Sequence, residues 1–319
     1  MVIGLPFLAV LGLLSGVLSG LYGIGGGAIG VPLMIFSGIP ADIAIATSLL
    51  QIVGISFVNV VRNIPSKNIN YKIATRIAIF SSVGSIAGVS ISNALRSSQY
   101  FTPVISLMYM GLLCCMACVM LVDVVFSYFL GEERQSNPSE KAKLAIHEED
   151  GEWQEKVKGF EDFLSQRGIK VKYTHILIYK KICQEKRRLW VKFGFIGTFI
   201  GILSGIMGIG GGFISIPAIV YLLREPLIVA SMTSSLIALL TTIPACIFQL
   251  HSTSLVEPFI AIISGIFAAF GVRIGNGIGQ ILPQRLLKLI FACILIMICI
   301  RFGIGVFSSS FTQYNVSIL

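Results

Sequence analysis

The chain is a succession of long apolar runs separated by short polar breaks. The runs cover residues 5–21, 28–37, 43–61, 73–95 and 103–128, and later 190–207, 213–222, 227–249, 258–279 and 286–306. Most reach or exceed the ~18 residues that let a helix cross a bilayer. They are apolar on every side, whereas the strands of a membrane barrel alternate apolar and polar positions. Gly38-Ile39-Pro40, Ile64-Pro65, Glu225-Pro226, Glu257-Pro258 and Leu282-Pro283 punctuate the runs, as chain breakers do. The pattern predicts an all-α, polytopic transmembrane helical bundle with about eight to ten membrane segments.

The two sets of runs are related. Gly20-Leu-Tyr-Gly-Ile-Gly-Gly-Gly-Ala-Ile-Gly-Val-Pro recurs as Gly205-Ile-Met-Gly-Ile-Gly-Gly-Gly-Phe-Ile-Ser-Ile-Pro. Downstream, Pro40 is followed by Thr47-Ser48 as Pro226 is by Thr233-Ser234, and Gly88-Val-Ser-Ile-Ser-Asn93 answers Gly271-Val-Arg-Ile-Gly-Asn276. Three matched islands in one order indicate a duplication. The chain therefore divides into a first transmembrane repeat (1–130), a charged cytoplasmic linker (131–189) and a second transmembrane repeat (190–319), each repeat with five segments.

Basic residues then suggest the orientation. Arg62, Lys67, Lys72 and Arg76 mark one loop, Lys180, Lys181, Lys186, Arg187, Arg188 and Lys192 a second, and Arg285 with Lys288 a third. Two topologies compete. Parallel halves, each crossing an even number of times, leave the third loop outside. Inverted halves put all three inside, and the preference of cytoplasmic loops for Lys and Arg favours them.

Composition agrees with the membrane reading. Hydrophobic residues make up 55% of the chain and charged ones only 12%, against about a quarter charged in soluble domains. The net charge of +9 belongs to loops beside spans rather than to a soluble basic module, so a nucleic-acid partner is excluded. No Lys or Arg precedes the first apolar run, so that run reads as part of the mature fold rather than as a secretory signal. Cys114, Cys115 and Cys118 share an apolar segment, as do Cys293 and Cys299; small packing residues are the ordinary reading, and no metal or other cofactor is called for.

The glycine motifs carry the candidate chemistry. Gly25-Gly26-Gly27 and Gly210-Gly211-Gly212 each precede an apolar segment of about ten residues, which as a helix rises only ~15 Å, half a bilayer core. Such half-helices present free backbone N–H groups at their starts. Glycine lets the chain turn there and lets a ligand approach the backbone, and the positive end of the helix suits an anion. Paired broken helices in matching places of two repeats point to a transporter's binding site. Close helix packing is the competing explanation for the glycines.

These motifs identify the chain as resembling the sulfite exporter TauE/SafE family, over both apolar halves. The resemblance implies a multi-pass carrier of the bacterial cell inner membrane, some members exporting sulfite or organosulfonates. By position it implies a substrate site at Gly25, Gly26, Gly27, Pro32, Thr47 and Ser48, with Gly210, Gly211, Gly212, Pro217, Thr233 and Ser234. The charged insertion between the halves departs from the family and bears on partners and regulation.

Other polar positions carry chemistry of their own. The Thr-Ser hydroxyls could donate to an oxyanion or satisfy themselves on the helix backbone. Asn93 and Asn276 suit interhelical hydrogen bonds. Arg273 stands where the other half has Ser90; its forked guanidinium could take a sulfonate or sulfite, or snorkel to the surface. Asp123 could relay a proton or lie at the interface. No nucleophile–base pair, phosphate loop with its Lys or metal triad appears, so no enzyme is expected. The reading is an alternating-access transporter of a small anionic solute in the lipid bilayer. The alternative is a non-transporting scaffold holding a cytoplasmic partner at 131–189, and a homo-oligomer is compatible with either.

Overall fold

In a computed structural model the protein is described over residues 5–66, 69–97, 101–129, 172–223, 227–253, 255–282 and 284–316. Ten α-helices and no strands stand among these: α1 (Leu5–Tyr22), α2 (Gly27–Phe36), α3 (Ala41–Asn63), α4 (Tyr71–Leu95), α5 (Phe101–Phe129), α6 (Lys172–Met207), α7 (Gly212–Pro217), α8 (Leu227–Ser252), α9 (Pro258–Ile281) and α10 (Gln284–Val316). Seven contain stretches long and apolar enough to cross a membrane, and Gly27–Phe36 and Leu289–Ile304 are shorter apolar helical stretches. The all-helical, multi-pass expectation holds. Most of the stretch expected as a linker lies outside the described residues. Its last part, from Lys172, is the start of α6, whose membrane-length portion is Trp190–Met207.

Local signals set the helix ends. Asn70 caps α4 by accepting from the Ile73 amide at 3.3 Å, as N-cap side chains do. Pro258 occupies the first turn of α9, where its missing N–H costs nothing.

Helix directions follow from which residues meet. Along α1, Gly12, Gly16 and Gly20 face Ser264, Ala268 and Val272 of α9 in rising order. Along α6, Gly197, Gly201 and Gly205 face Ile77, Ser81 and Ser85 of α4, also in rising order. Each pair is therefore parallel and so close that a Cβ on any of these glycines would collide with the facing carbonyl. Small residues at four-residue spacing allow this approach in a membrane. Ser82 donates to the Leu240 carbonyl at 3.0 Å and Asn93 to Ser252 Oγ at 3.0 Å, so α4 also runs with α8. The Glu257 amide donates to Thr47 Oγ1 at 3.1 Å and Asn276 Nδ2 to Asn59 Oδ1 at 3.3 Å, so α3 runs with α9.

The loop after α3 is too short for a parallel return. Residues 64–70 span at most about 25 Å extended, while α3 is about 35 Å long, so α4 turns back. Thus α1, α3 and α9 run one way and α4, α6 and α8 the other. α5 and α10 pack on one another and against the glycine corners: Tyr22 stacks on Phe291 at 4.2 Å and donates to the Leu287 carbonyl at 2.7 Å, and the Tyr109 hydroxyl donates to the Met207 carbonyl. Arg62, Lys72, Arg76 and Lys192 gather at the end where α3 finishes and α4 begins. There Arg76 lies 5.8 Å over the Trp190 ring and 5.7 Å over Phe193, joining α4 to α6 by cation–π contact. Phe57, Phe195, Ile247 and Phe270 are exposed on the outside, as a lipid-facing surface requires.

Candidate functional site

The candidate site is built on the two glycine corners. After α1, Gly23, Gly25 and Gly26 take φ of 70°, 72° and 80°; after α6, Gly208, Gly210 and Gly211 take 67°, 82° and 71°. Only glycine visits this left-handed region without strain, so the chain breaks its helix at both corners before α2 and α7 begin. Pro32 lies inside α2, and Pro217 ends α7, where the helix continues as a π turn over Ala218–Leu222.

The corners meet. A Cβ on Gly27 would lie 2.7 Å from the Ile209 carbonyl oxygen and 2.9 Å from that of Gly208, and one on Gly212 would lie 3.1 Å from the Ile24 carbonyl. Ile52, at the middle of α3, touches both Gly25 and Gly210, and Ala238, at the middle of α8, touches Gly25 and Gly212. The contact therefore sits midway along the spans. It is also shut. Side chains of Ile52, Ile55 and Ala238 pack onto the glycines, and the void beside Tyr22, Ser231 and Phe291 measures about 30 Å³, room for one water.

What the corners hold is a set of unused donors. Gly23 and Gly208 amides bond back to the Ser19 and Ser204 carbonyls at 2.7 and 2.8 Å. Beyond them, the amides of Ile24, Gly25, Gly26, Ile209, Gly210 and Gly211 have no acceptor among the described residues, and all six residues are buried. Buried amides without partners are rare and costly. They stand at the positive ends of short helices.

The expected hydroxyls are near but otherwise engaged. Ser48 donates to the Ile45 and Gly208 carbonyls at 2.7 and 3.0 Å, and Ser234 to the Ser231 and Gly23 carbonyls at 2.7 and 2.8 Å. Thr47 accepts from the Glu257 amide, and Thr233 from the Asn70 amide at 3.1 Å. These four tie each half to the other. Arg273 is exposed on the outer face of α9, away from the corners. Asn93 and Asn276 make the interhelical bonds given above, and the Asp123 side chain lies outside the described residues.

The sequence reading missed a polar lining behind each corner. Behind the first, Gln51 Nε2 donates to Ser15 Oγ at 3.2 Å and Asn59 Nδ2 to Ser19 Oγ at 3.0 Å. The fully buried Ser56 hydroxyl has no partner and lies 3.1 Å from where a Gly25 Cβ would sit. Behind the second, Thr241 donates to Ser81 Oγ at 3.0 Å, and Ser204 Oγ is unpaired. The signal was present: Ser48, Gln51, Ser56 and Asn59 fall on one side of α3 at 100° per residue.

The family model described as Sulfite exporter TauE/SafE matches residues 8–302. The chain belongs to this family. Among its relatives is the "probable membrane transporter protein YunE" of Bacillus subtilis, 25% identical over 94% of this chain and 98% of that protein. Another is a "probable membrane transporter protein" of Methanocaldococcus jannaschii, 27% identical over 91% of this chain and 92% of that one. No solved structure matches. With its membrane-length helices, this TauE/SafE member is a multi-pass membrane protein of a transporter family.

Proposed function

We propose that the protein is a secondary transporter of a small oxyanion, of the sulfite or organosulfonate class, working by alternating access around the paired glycine corners. The observation that carries this is the meeting, midway along the spans, of two corners with buried and unpartnered amides. Such donors replace the water of an anion without needing a buried cation. The family description supports the sulfur chemistry.

The direction of the helices supports inverted halves. α1 and its counterpart α6 run opposite ways, as do α3 and α8. With that arrangement Arg62, Lys72, Arg76 and Lys192 lie on one side, which the positive-inside rule makes cytoplasmic. In the closed state the corners shield one another. Parting α3 from α8 on one side at a time would bare the amides first to one compartment and then to the other.

The test is flux in proteoliposomes loaded with labelled sulfite, a small alkanesulfonate or sulfate, with Gly27→Ala and Gly212→Ala as variants. Each added methyl meets backbone of the opposite corner. Flux of one of these anions above that of empty vesicles, lost in both variants while they still insert and remain monodisperse, is expected. Equal flux in wild-type and empty vesicles for every anion tested would sink the proposal.

A further inference from the structure

A second feature lies away from the corners. It is a side-opening groove of about 590 Å³ between α3 and α9, lined by Phe57, Val58, Val61, Ala269 and Phe270, with Arg62 and Arg273. Its walls are apolar and face outward: Phe57 is 58% exposed and Phe270 62%. The two arginines come from different halves. Arg62 lies one turn beyond Asn59 and Arg273 one turn before Asn276, so they bracket the 3.3 Å Asn59–Asn276 bond. Both are exposed, and neither has a hydrogen-bond or ion-pair partner among the described residues.

Arg273 falls inside the membrane-length stretch Pro258–Gly279. A guanidinium on the lipid-facing side of a span is costly unless it finds a counter-charge or reaches the interface. No carboxylate lines the groove. The repeat supplies a comparison, because the positions matching Arg62 and Arg273 in the other half of the duplication are Phe248 and Ser90. The pair of charges is thus particular to this groove and to the basic end of the bundle. A phosphate with an acyl chain attached fits both features, the forked donors at one end and the apolar trough beside them.

We infer that the α3–α9 groove is a binding site for one anionic phospholipid, whose phosphate is held by Arg62 and Arg273 and whose chain lies along Phe57, Val61, Ala269 and Phe270. The site is independent of the transport reading, and its test needs no flux.

The experiment is native mass spectrometry of the full chain released from detergent, titrated with phosphatidylglycerol or phosphatidylcholine. Wild type retains one phosphatidylglycerol in preference to phosphatidylcholine. Arg62→Gln and Arg273→Gln each weaken that preference roughly fivefold, about one interfacial charge's worth, and the double variant abolishes it. Ala269→Trp fills the trough from its open side without removing either charge; it lowers phosphatidylglycerol retention and so tests the site should the arginine variants fail to fold. Equal retention of the two lipids by wild type overturns the proposal. So does an undiminished preference in the double variant. A preference that emerges only when Glu148, Glu149 and Asp150 are neutralised overturns it too, because the groove's occupant is then the linker.

Discussion

Ser48 donates to the Gly208 carbonyl at 3.0 Å, and its counterpart Ser234 donates to the Gly23 carbonyl at 2.8 Å. Each half thus pins the corner of the other. The two latches are unequal, because Gly23 also accepts from Ser235 at 3.2 Å, while Gly208 has Ser48 alone among the described side chains. Removing a donor from a buried carbonyl costs about 1–3 kcal/mol when nothing replaces it. Ser48→Ala is therefore expected to lower thermal stability in detergent more than Ser234→Ala, and Ser234→Ala/Ser235→Ala to close the gap. Equal loss in the two single variants would contradict the latch.

The glycine ridges predict where bulk is forbidden. A Cβ on Gly201 would strike the Ser81 carbonyl, and one on Gly16 the Ala268 carbonyl, both backbone atoms that cannot step aside. Gly54 has nothing within 4 Å of its would-be Cβ. Overpacking of a tight contact costs roughly 1–3 kcal/mol, whereas Gly to Ala in an open helix position gains up to about 1 kcal/mol. Gly16→Ala and Gly201→Ala should reduce the yield of monodisperse protein, and Gly54→Ala should leave it level or raise it. Size-exclusion profiles of the purified variants decide this.

Much of the fold could be read from the chain. Apolar runs located the spans to within a few residues, because the bilayer imposes length and the breakers are prolines and glycines. The corners were legible for the same reason: Gly25-Gly26 and Gly210-Gly211 must take left-handed backbone that other residues avoid. Partner choice was not legible. Nothing local says that α1 lies on α9 rather than on its own α4, since that depends on which glycine ridges interlock across some 250 residues of sequence, Gly12 to Ser264 for example. The roles of Ser48 and Thr47 were hidden likewise, because their bonding partners, Gly208 and Glu257, belong to the other half. Gln51, Ser56 and Asn59 escaped attention although their spacing put them on one side of α3.

The inverted arrangement proposed above predicts the accessibility of single cysteines in a cysteine-free background. Lys72, at the start of α4, and Trp190, at the start of the α6 span, are both exposed at the basic end. His251, in the last turn of α8, is exposed at the other end. In intact cells a membrane-impermeant maleimide should label a cysteine at position 251 and spare those at 72 and 190. In inside-out vesicles the pattern should reverse. Labelling of positions 72 and 251 from the same side would rule out opposite courses for α3 and α8 and, with them, the inverted arrangement.

Ser56 separates a lining role from a structural one. Its hydroxyl is buried, bonds to nothing among the described residues and lies beside Gly25. Asn59, one turn away, bonds to both Ser19 and Asn276. Burying an unpaired hydroxyl is unfavourable, so Ser56→Ala should leave the melting temperature unchanged or raise it, while Asn59→Ala, which breaks two bonds, should lower it. If the Ser56 hydroxyl meets the solute when the corners part, Ser56→Ala should also cut anion flux severalfold with stability intact. That pairing, lost transport without lost stability, is what a merely packed serine cannot produce. A Ser56→Ala protein that transports as wild type does would remove Ser56 from the path and restrict solute contact to the corner amides.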